Sequence, residues 1–227
     1  LLPAPWRAWL RERFGEYFYS ARSYSQEGED LVLRRLFERQ PTGIYVDVGA
    51  HHPFRFSNTC LLHKQGWRGI NIDARPGSMG LFERFRPGDI NLEIGVSRES
   101  KEMEYFLFEE SALNTFNAPL ANQWQKQGWR LVTTAKVQCL PLRQILEREL
   151  PRLGAESIDV LTVDAEGFDL EVLQSNDWAR YPPRVLIVEI LGTDLAQAST
   201  SEIGRYCSSL GYELFAKLHQ SVFFQRR

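Results

Sequence analysis

From Ile44 onward the chain alternates between short, nearly continuous apolar runs and longer segments in which apolar residues recur every three or four positions. The runs at 44–48, 69–73, 90–94, 104–108, 135–139, 158–163, 185–190, 212–216 and 221–225 have the length and β-branched content of strands. The intervening periodic segments predict helices. One spans Gln26–Arg39, capped by Ser25, with Glu27, Glu29 and Asp30 in the first turns, where the helix dipole favours anions, and Leu31, Leu33, Leu36 and Phe37 as its apolar stripe. A second starts at Ser57 or Asn58 and ends at Gly66. Ser199 with Glu202 has capping-box spacing, and Gly211 sits where a helix-ending glycine belongs. Such alternation predicts an α/β fold: a doubly wound, mostly parallel sheet with helices on both faces. The last two strands are separated by a connection short enough for a hairpin, so the sheet should end in an antiparallel strand. Segment 109–134 is the least regular and most polar long stretch, and connections of that length in a compact domain usually carry function.

Composition narrows the picture. The 227 residues, 43% of hydrophobic type, suffice for one sizeable core, so residues 23–227 are read as one domain and 1–22 as a helical appendage. With 27 basic and 29 acidic residues the net charge is −2, and no run of like charge marks a nucleic-acid partner. Cys60, Cys139 and Cys207 are odd in number and far apart, which reads as free thiols in a reducing compartment. No stretch approaches the roughly 18 apolar residues of a membrane span. The N-terminus lacks an apolar signal core, and a cytoplasmic location is expected. Trp6, Trp9 and Leu10 with Arg7, Arg11 and Arg13 make an aromatic-basic helix that either docks on its own domain, the favoured reading, or lies on a membrane surface. A homodimer is also left open.

The chemistry is concentrated at predicted strand ends, where ligands bind in open α/β sheets. "YVDVGAHHP" (45–53) keeps Gly49 for a tight turn but replaces the rest of a GxGxxG cradle with His51, His52 and Pro53. The next strand ends in Asp73, 26 residues after Asp47, placed to accept hydrogen bonds from both hydroxyls of a ribose. A ribose site without a diphosphate cradle argues against a nicotinamide dinucleotide and for S-adenosylmethionine, whose methionine end would meet the backbone of Gly49, Ala50 and His51. Two adjacent histidines in an extended turn point apart, so one should hold the turn while the other faces cofactor or substrate; His52 is carried as a candidate catalytic group.

"IDVLTVDAEGFDLEVL" (158–173) delivers Asp164 and Glu166 at the end of a buried strand, and Glu189 ends the following one. Three acids near one cleft suit alkyl transfer to a hydroxyl, an in-line displacement in which the nucleophile must be aligned and lose its proton. The plainer role for Asp164 and Glu166 is capping the next helix. Metal dependence is left open, with none the favoured reading; if the reaction needed a divalent cation, Asp164, Glu166 and Glu189 would be its ligands. Tyr105, Phe106, Phe108, Phe116, Trp124 and Trp129 include candidates for stacking on a sugar ring, and Asn114 and Thr115 are candidate polar contacts to the acceptor.

Together with "YSQEGEDLVL" (24–33), "GWRGINIDARP" (66–76), "IGVS" (94–97) and "VLIVEI" (185–190), these motifs resemble the FkbM-type S-adenosylmethionine-dependent methyltransferases over nearly the whole chain. The resemblance implies a Rossmann-like class I methyltransferase fold and O-methylation of a sugar, glycan or glycosylated small molecule. It implies that Asp47, Gly49 and His51 line the methionine end of the cofactor, Asp73 with Ala74 the ribose, and the stretch Glu93–Ser97, with Gly95, Val96 and Ser97 as its contacts, the adenine. It further implies that Asp164 and Glu166 lie beside the transferred methyl and that Ser25 and Gln26 reach the cofactor cleft. The paired histidines depart from the small polar residue common at that place. A nicotinamide-dependent oxidoreductase or epimerase and a non-catalytic nucleoside-binding domain are the competing readings.

Overall fold

The computed structural model describes residues 3–16 and 20–226. Five parallel strands form its centre: β1 (Ile44–Val48), β2 (Arg68–Asp73), β3 (Ile90–Glu93), β7 (Val160–Val163) and β8 (Val185–Glu189). A terminal hairpin of β9 (Tyr212–Lys217) and β10 (Ser221–Arg226) adds antiparallel strands at one edge. Together they make a seven-stranded sheet in the order β3-β2-β1-β7-β8-β10-β9. β1, β7 and β8 are apolar almost throughout because helices cover both faces. The main core gathers Val46, Ile70, Leu161 and Leu186 with Leu142, Ile145 and Leu146 of a helix at Leu142–Glu149; a second core on the opposite face holds Leu33, Tyr45, Trp67 and Phe223. From β1 the chain winds one way through β2 and β3, then returns to place β7 on β1's other side. Strand order reverses there, and the connections beyond β1 and β7 diverge to leave a crevice.

Two expected strands leave this sheet. β5 (Lys101–Phe108) and β6 (Leu131–Leu140) pair antiparallel and, with the short β4 (Gly95–Val96), form a separate three-stranded sheet. β6 is largely exposed along its first half, so it has no second face to bury between helices. The connection between β5 and β6 holds a 3₁₀ turn, Ser111–Leu113, and a helix, Ala118–Lys126, whose cap Asn117 accepts from the Leu120 amide.

Two helix starts also differ from expectation. The helix expected from Gln26 spans only Glu29–Leu36, because Gly28 enters in the left-handed region at φ 96°. Ser25 still serves its start, accepting from the Asp30 amide at 3.3 Å. The capping box is formed by Asp194 and Gln197 at helix Leu195–Thr200, and Ser201 caps helix Glu202–Ser209, so Ser199 lies inside a helix instead of capping one. The N-terminal helix, Ala4–Arg13, leaves Trp6 and Trp9 exposed and edge-to-face with each other. Leu1, Leu2 and residues 17–19 of that segment lie outside the described residues. Among the described residues no helix is long and apolar enough to cross a membrane.

Candidate active site

The crevice beyond β1 and β7 holds two connected spaces. The first is a slot of about 50 Å³ whose walls include Ile72, Ile94, Val96, Phe116 and Phe168, with Gly95 and Ala74 at its sides. The second is a cleft of about 340 Å³. Gly49, Asp73, Tyr105, Asn114 and Asp164 belong to both.

Gly49 is required at the junction. Its φ is +81°, and a Cβ there would sit 1.7 Å from the Asp164 carbonyl oxygen. The Gly49 and Ala50 amides donate to the Ile72 carbonyl at 2.9 and 3.0 Å, tying the turn to β2. Asp73 then organises two turns at once. One carboxylate oxygen accepts from the His51 amide and the other from the Arg75 amide, each at 2.8 Å. A carboxylate has about four acceptor positions, so capacity remains for a further donor.

Asp164, Glu166 and Glu189 each place a carboxylate oxygen within 4.8 Å of the others. The turn that aims them is braced from both sides. Asp169 accepts from the Ala165 and Gly167 amides at 3.0 and 3.2 Å. From the β5–β6 connection, Thr115 donates its hydroxyl to the Glu166 carbonyl at 2.8 Å, and the Asn117 amide group donates to the Gly167 carbonyl at 3.2 Å. Burial, then repulsion from neighbouring carboxylates, pushes all three acids up from the ordinary range. Asp164 opens onto the cleft, Glu166 and Glu189 are half-buried, and Glu189 Oε2 is buried with no hydrogen-bond partner. All three non-glycine residues with positive φ among the described residues, His51 (54°), Phe56 (56°) and Glu166 (48°), line this cleft, where backbone strain commonly accompanies function.

The expected site residues separate into lining and supporting groups. Gln26 lines the cleft and its amide donates to Gln220 at 3.4 Å, whereas Ser25 faces a neighbouring groove and hydrogen-bonds Asp30. His51 lines the cleft, and burial lowers its imidazole to about 4, so it is neutral at pH 7. His52 is taken up by the turn: its Nδ1 accepts from the Phe54 and Arg55 amides, both at 3.0 Å. Asp47 is buried away from the cleft and accepts the Thr59 hydroxyl at 2.6 Å. Ala50 packs against Met79 and Phe82, and the buried Ser97 donates its hydroxyl to the Glu99 carbonyl at 2.7 Å. Thr115 braces Glu166 from outside the cleft, while Asn114 lines both spaces and accepts from the Phe108 amide at 2.8 Å. Of the aromatics, Tyr105 and Trp124 line the cleft and Phe116 the slot.

Two features gave no sequence signal. Arg55 forms a two-pronged ion pair with Glu110 at the cleft wall, at 3.3 and 3.1 Å. Arg86, 1% exposed, donates to the Pro53 carbonyl (2.6 Å), the Ser57 hydroxyl (2.8 Å), the Thr59 hydroxyl (2.8 Å) and Asn71 Oδ1 (3.2 Å). It thereby ties the loop after β1 to β2. An arginine at position 86 looks like any surface residue until the fold closes over it.

A switch-point crevice in a mostly parallel sheet that ends in an antiparallel hairpin defines a Rossmann-like domain of the methyltransferase type. The model for the Methyltransferase FkbM domain matches residues 47–214, well over half of the chain. The chain belongs to this family of methyltransferases. A comparison with curated proteins found no significant relative.

Proposed function

We propose that the protein transfers a methyl group from S-adenosylmethionine to a hydroxyl of a sugar, glycan or glycosylated small molecule. The observation that carries this reading is an apolar slot ending at Asp73 directly beside a cluster of three acids. The slot's aliphatic and aromatic walls suit a purine, and the spare acceptor capacity of Asp73 suits a ribose hydroxyl. The acidic cluster of Asp164, Glu166 and Glu189 favours a cationic ligand, whose charge drives the raised acids towards ionisation, and it presents no positive charge to a diphosphate, which weighs against a nicotinamide dinucleotide. When bound, S-adenosylmethionine supplies an electrophilic methyl on a positively charged sulfur.

The remaining work falls to side chains of the chain itself. Asn114 and the rings of Tyr105 and Trp124 orient the acceptor, and a near-attack alignment contributes much of the rate. Glu166, raised well above an ordinary glutamate, takes the hydroxyl proton on a carboxylate oxygen; a base with pKa nearer the working pH transfers protons more effectively. Glu189 and Asp164 share the remaining charge and hold the positive centre. The three acids would also hold a divalent cation with oxygen ligands if the reaction used one.

Titration calorimetry with S-adenosylmethionine and NADH tests the cofactor; binding of NADH alone defeats the reading. Transfer of labelled methyl to a panel of sugars tests the chemistry. Glu166→Gln is expected to lower kcat by about 10²- to 10⁴-fold. In the wild type kcat/KM rises with pH through a value above the usual carboxylate range, because the base must be unprotonated, and this limb disappears in the variant.

A further inference from the structure

Beside the cleft mouth lies a second groove of about 600 Å³ that the proposed reaction does not use. It is lined by Arg22, Tyr24, Phe54, Arg55, Phe56 and Lys64, with the Ser23 and Ser25 segment along one side. Arg55 and Phe56 belong to both spaces, so groove and cleft are continuous. The two differ in charge. The cleft floor carries three carboxylic acids, whereas among the described residues no acidic one lines the groove.

Its cations are held in place without being neutralised. The Arg22 guanidinium sits 4.9 Å and the Lys64 ammonium 5.4 Å from the centre of the Tyr24 ring. Among the described residues neither has a carboxylate within ion-pair distance, in contrast to Arg55, which Glu110 neutralises. Asp30, which holds the adjoining segment, is fully buried, and its carboxylate already accepts from the Ser23 hydroxyl (2.7 Å), the Tyr24 amide (2.7 Å) and the Ser25 hydroxyl (2.9 Å). Those bonds fix the 23–25 segment and with it the Tyr24 ring. Phe54 and Phe56, 36% and 39% exposed, add partly open apolar faces. Uncompensated cations clustered on one aromatic ring, beside exposed rings, are a surface for an anion attached to a ring-bearing molecule.

We propose that this groove binds an anionic substituent, a carboxylate or a phosphate, carried by the glycan acceptor outward from the hydroxyl that is methylated. The proposal rests on reading the cleft as the methylation site and adds the substrate class: an acidic or phosphorylated glycan. Charge then sorts the two reactants, the cationic donor to the acidic floor and the anionic acceptor to the basic groove.

The test is calorimetry on the full chain with tri-galacturonate, its neutral methyl ester and inorganic pyrophosphate, in the wild type and in an Arg22→Gln/Lys64→Gln variant. Both side chains are exposed, so the melting temperature should stay unchanged. Tri-galacturonate should bind about tenfold more tightly than its ester, the size expected of two partly exposed charge-assisted contacts. The double variant should lose that preference, with pyrophosphate separating phosphate from carboxylate recognition. Failure of both anions to bind, or anion binding that the variant leaves within about twofold, overturns the proposal. Binding to phosphatidylglycerol vesicles without binding to either soluble anion also overturns it, in favour of a membrane contact. S-adenosylhomocysteine titrated in parallel keeps the two readings apart: its failure to bind sinks the methyltransferase chemistry, whereas the anion result judges the groove.

Discussion

At the scale of single residues, chemistry and position often part company. Asp47 stands at the end of β1, where a ligand-facing acid is expected, yet it points to Thr59 and is 5% exposed. Burial raises it to about 6, against the hydrogen bond from Thr59 and the charge of Arg86, which lower it. The folded protein therefore binds this proton more tightly than the unfolded chain, and the associated stability is present below about pH 4 and lost as pH rises through about 6. Asp47→Asn keeps an acceptor for Thr59 and removes the titration. Its stability relative to the wild type should improve by about 2–3 kcal/mol between pH 4 and pH 7, since each tenfold change in proton affinity is worth about 1.4 kcal/mol. Denaturant titrations across that range check it, and a difference independent of pH would refute the assignment. His51 titrates in the opposite sense in both proteins and cancels from the comparison.

At the scale of elements, the site depends on loops held by side chains from elsewhere in the chain. Arg86 follows helix Met79–Phe85 and reaches under the loop after β1 to four acceptors. Arg86→Met keeps much of the volume but leaves those buried acceptors unpaired and removes a positive charge that favours the ionised form of Asp47. A loss of about 3–5 kcal/mol is expected, as for a broken buried charge network. Because the loop carries His51, Arg55 and Phe56, affinity for S-adenosylhomocysteine and the acceptor should fall even at temperatures where the variant remains folded. The β5–β6 connection bears on the site in the same way, through Thr115 at the Glu166 carbonyl and Asn117 at Gly167. Its irregular, polar sequence signalled function, but which residues bond across to the β7 turn is settled only when the three-stranded sheet sits against the large one.

At the scale of the whole molecule, the site opposes stability. The chain gathers three carboxylates at one switch point, none with an ion-pair partner among the described residues, and leaves Glu189 Oε2 without a hydrogen bond. Glu166→Gln and Glu189→Gln should each raise the melting temperature at pH 8 by a few degrees, about 1 kcal/mol apiece, while activity falls. Differential scanning calorimetry beside the methyl-transfer assay checks this, and a destabilised variant would mean that the acids are compensated in ways the geometry does not reveal. On the same scale, the acidic floor and the basic groove give one face of the molecule opposite polarities on the two sides of Phe56.

The order of strands and helices, the closing hairpin and the carboxylates at the strand ends were all decided by local pattern, because apolar run length, β-branched content and chain-reversing glycines act over a few residues. Sequence alone thus determined the fold class and set Gly49, Asp73, Asp164, Glu166 and Glu189 at one edge of the sheet. It did not determine which histidine faces the cleft, that Asp47 and Thr115 support the site from outside it, or that β5 and β6 form a sheet of their own. Those outcomes depend on contacts between segments far apart in the chain, such as Arg86 with Pro53 and Thr115 with Glu166. Only packing brings such groups together, and only then do burial and nearby charge set their protonation and their roles.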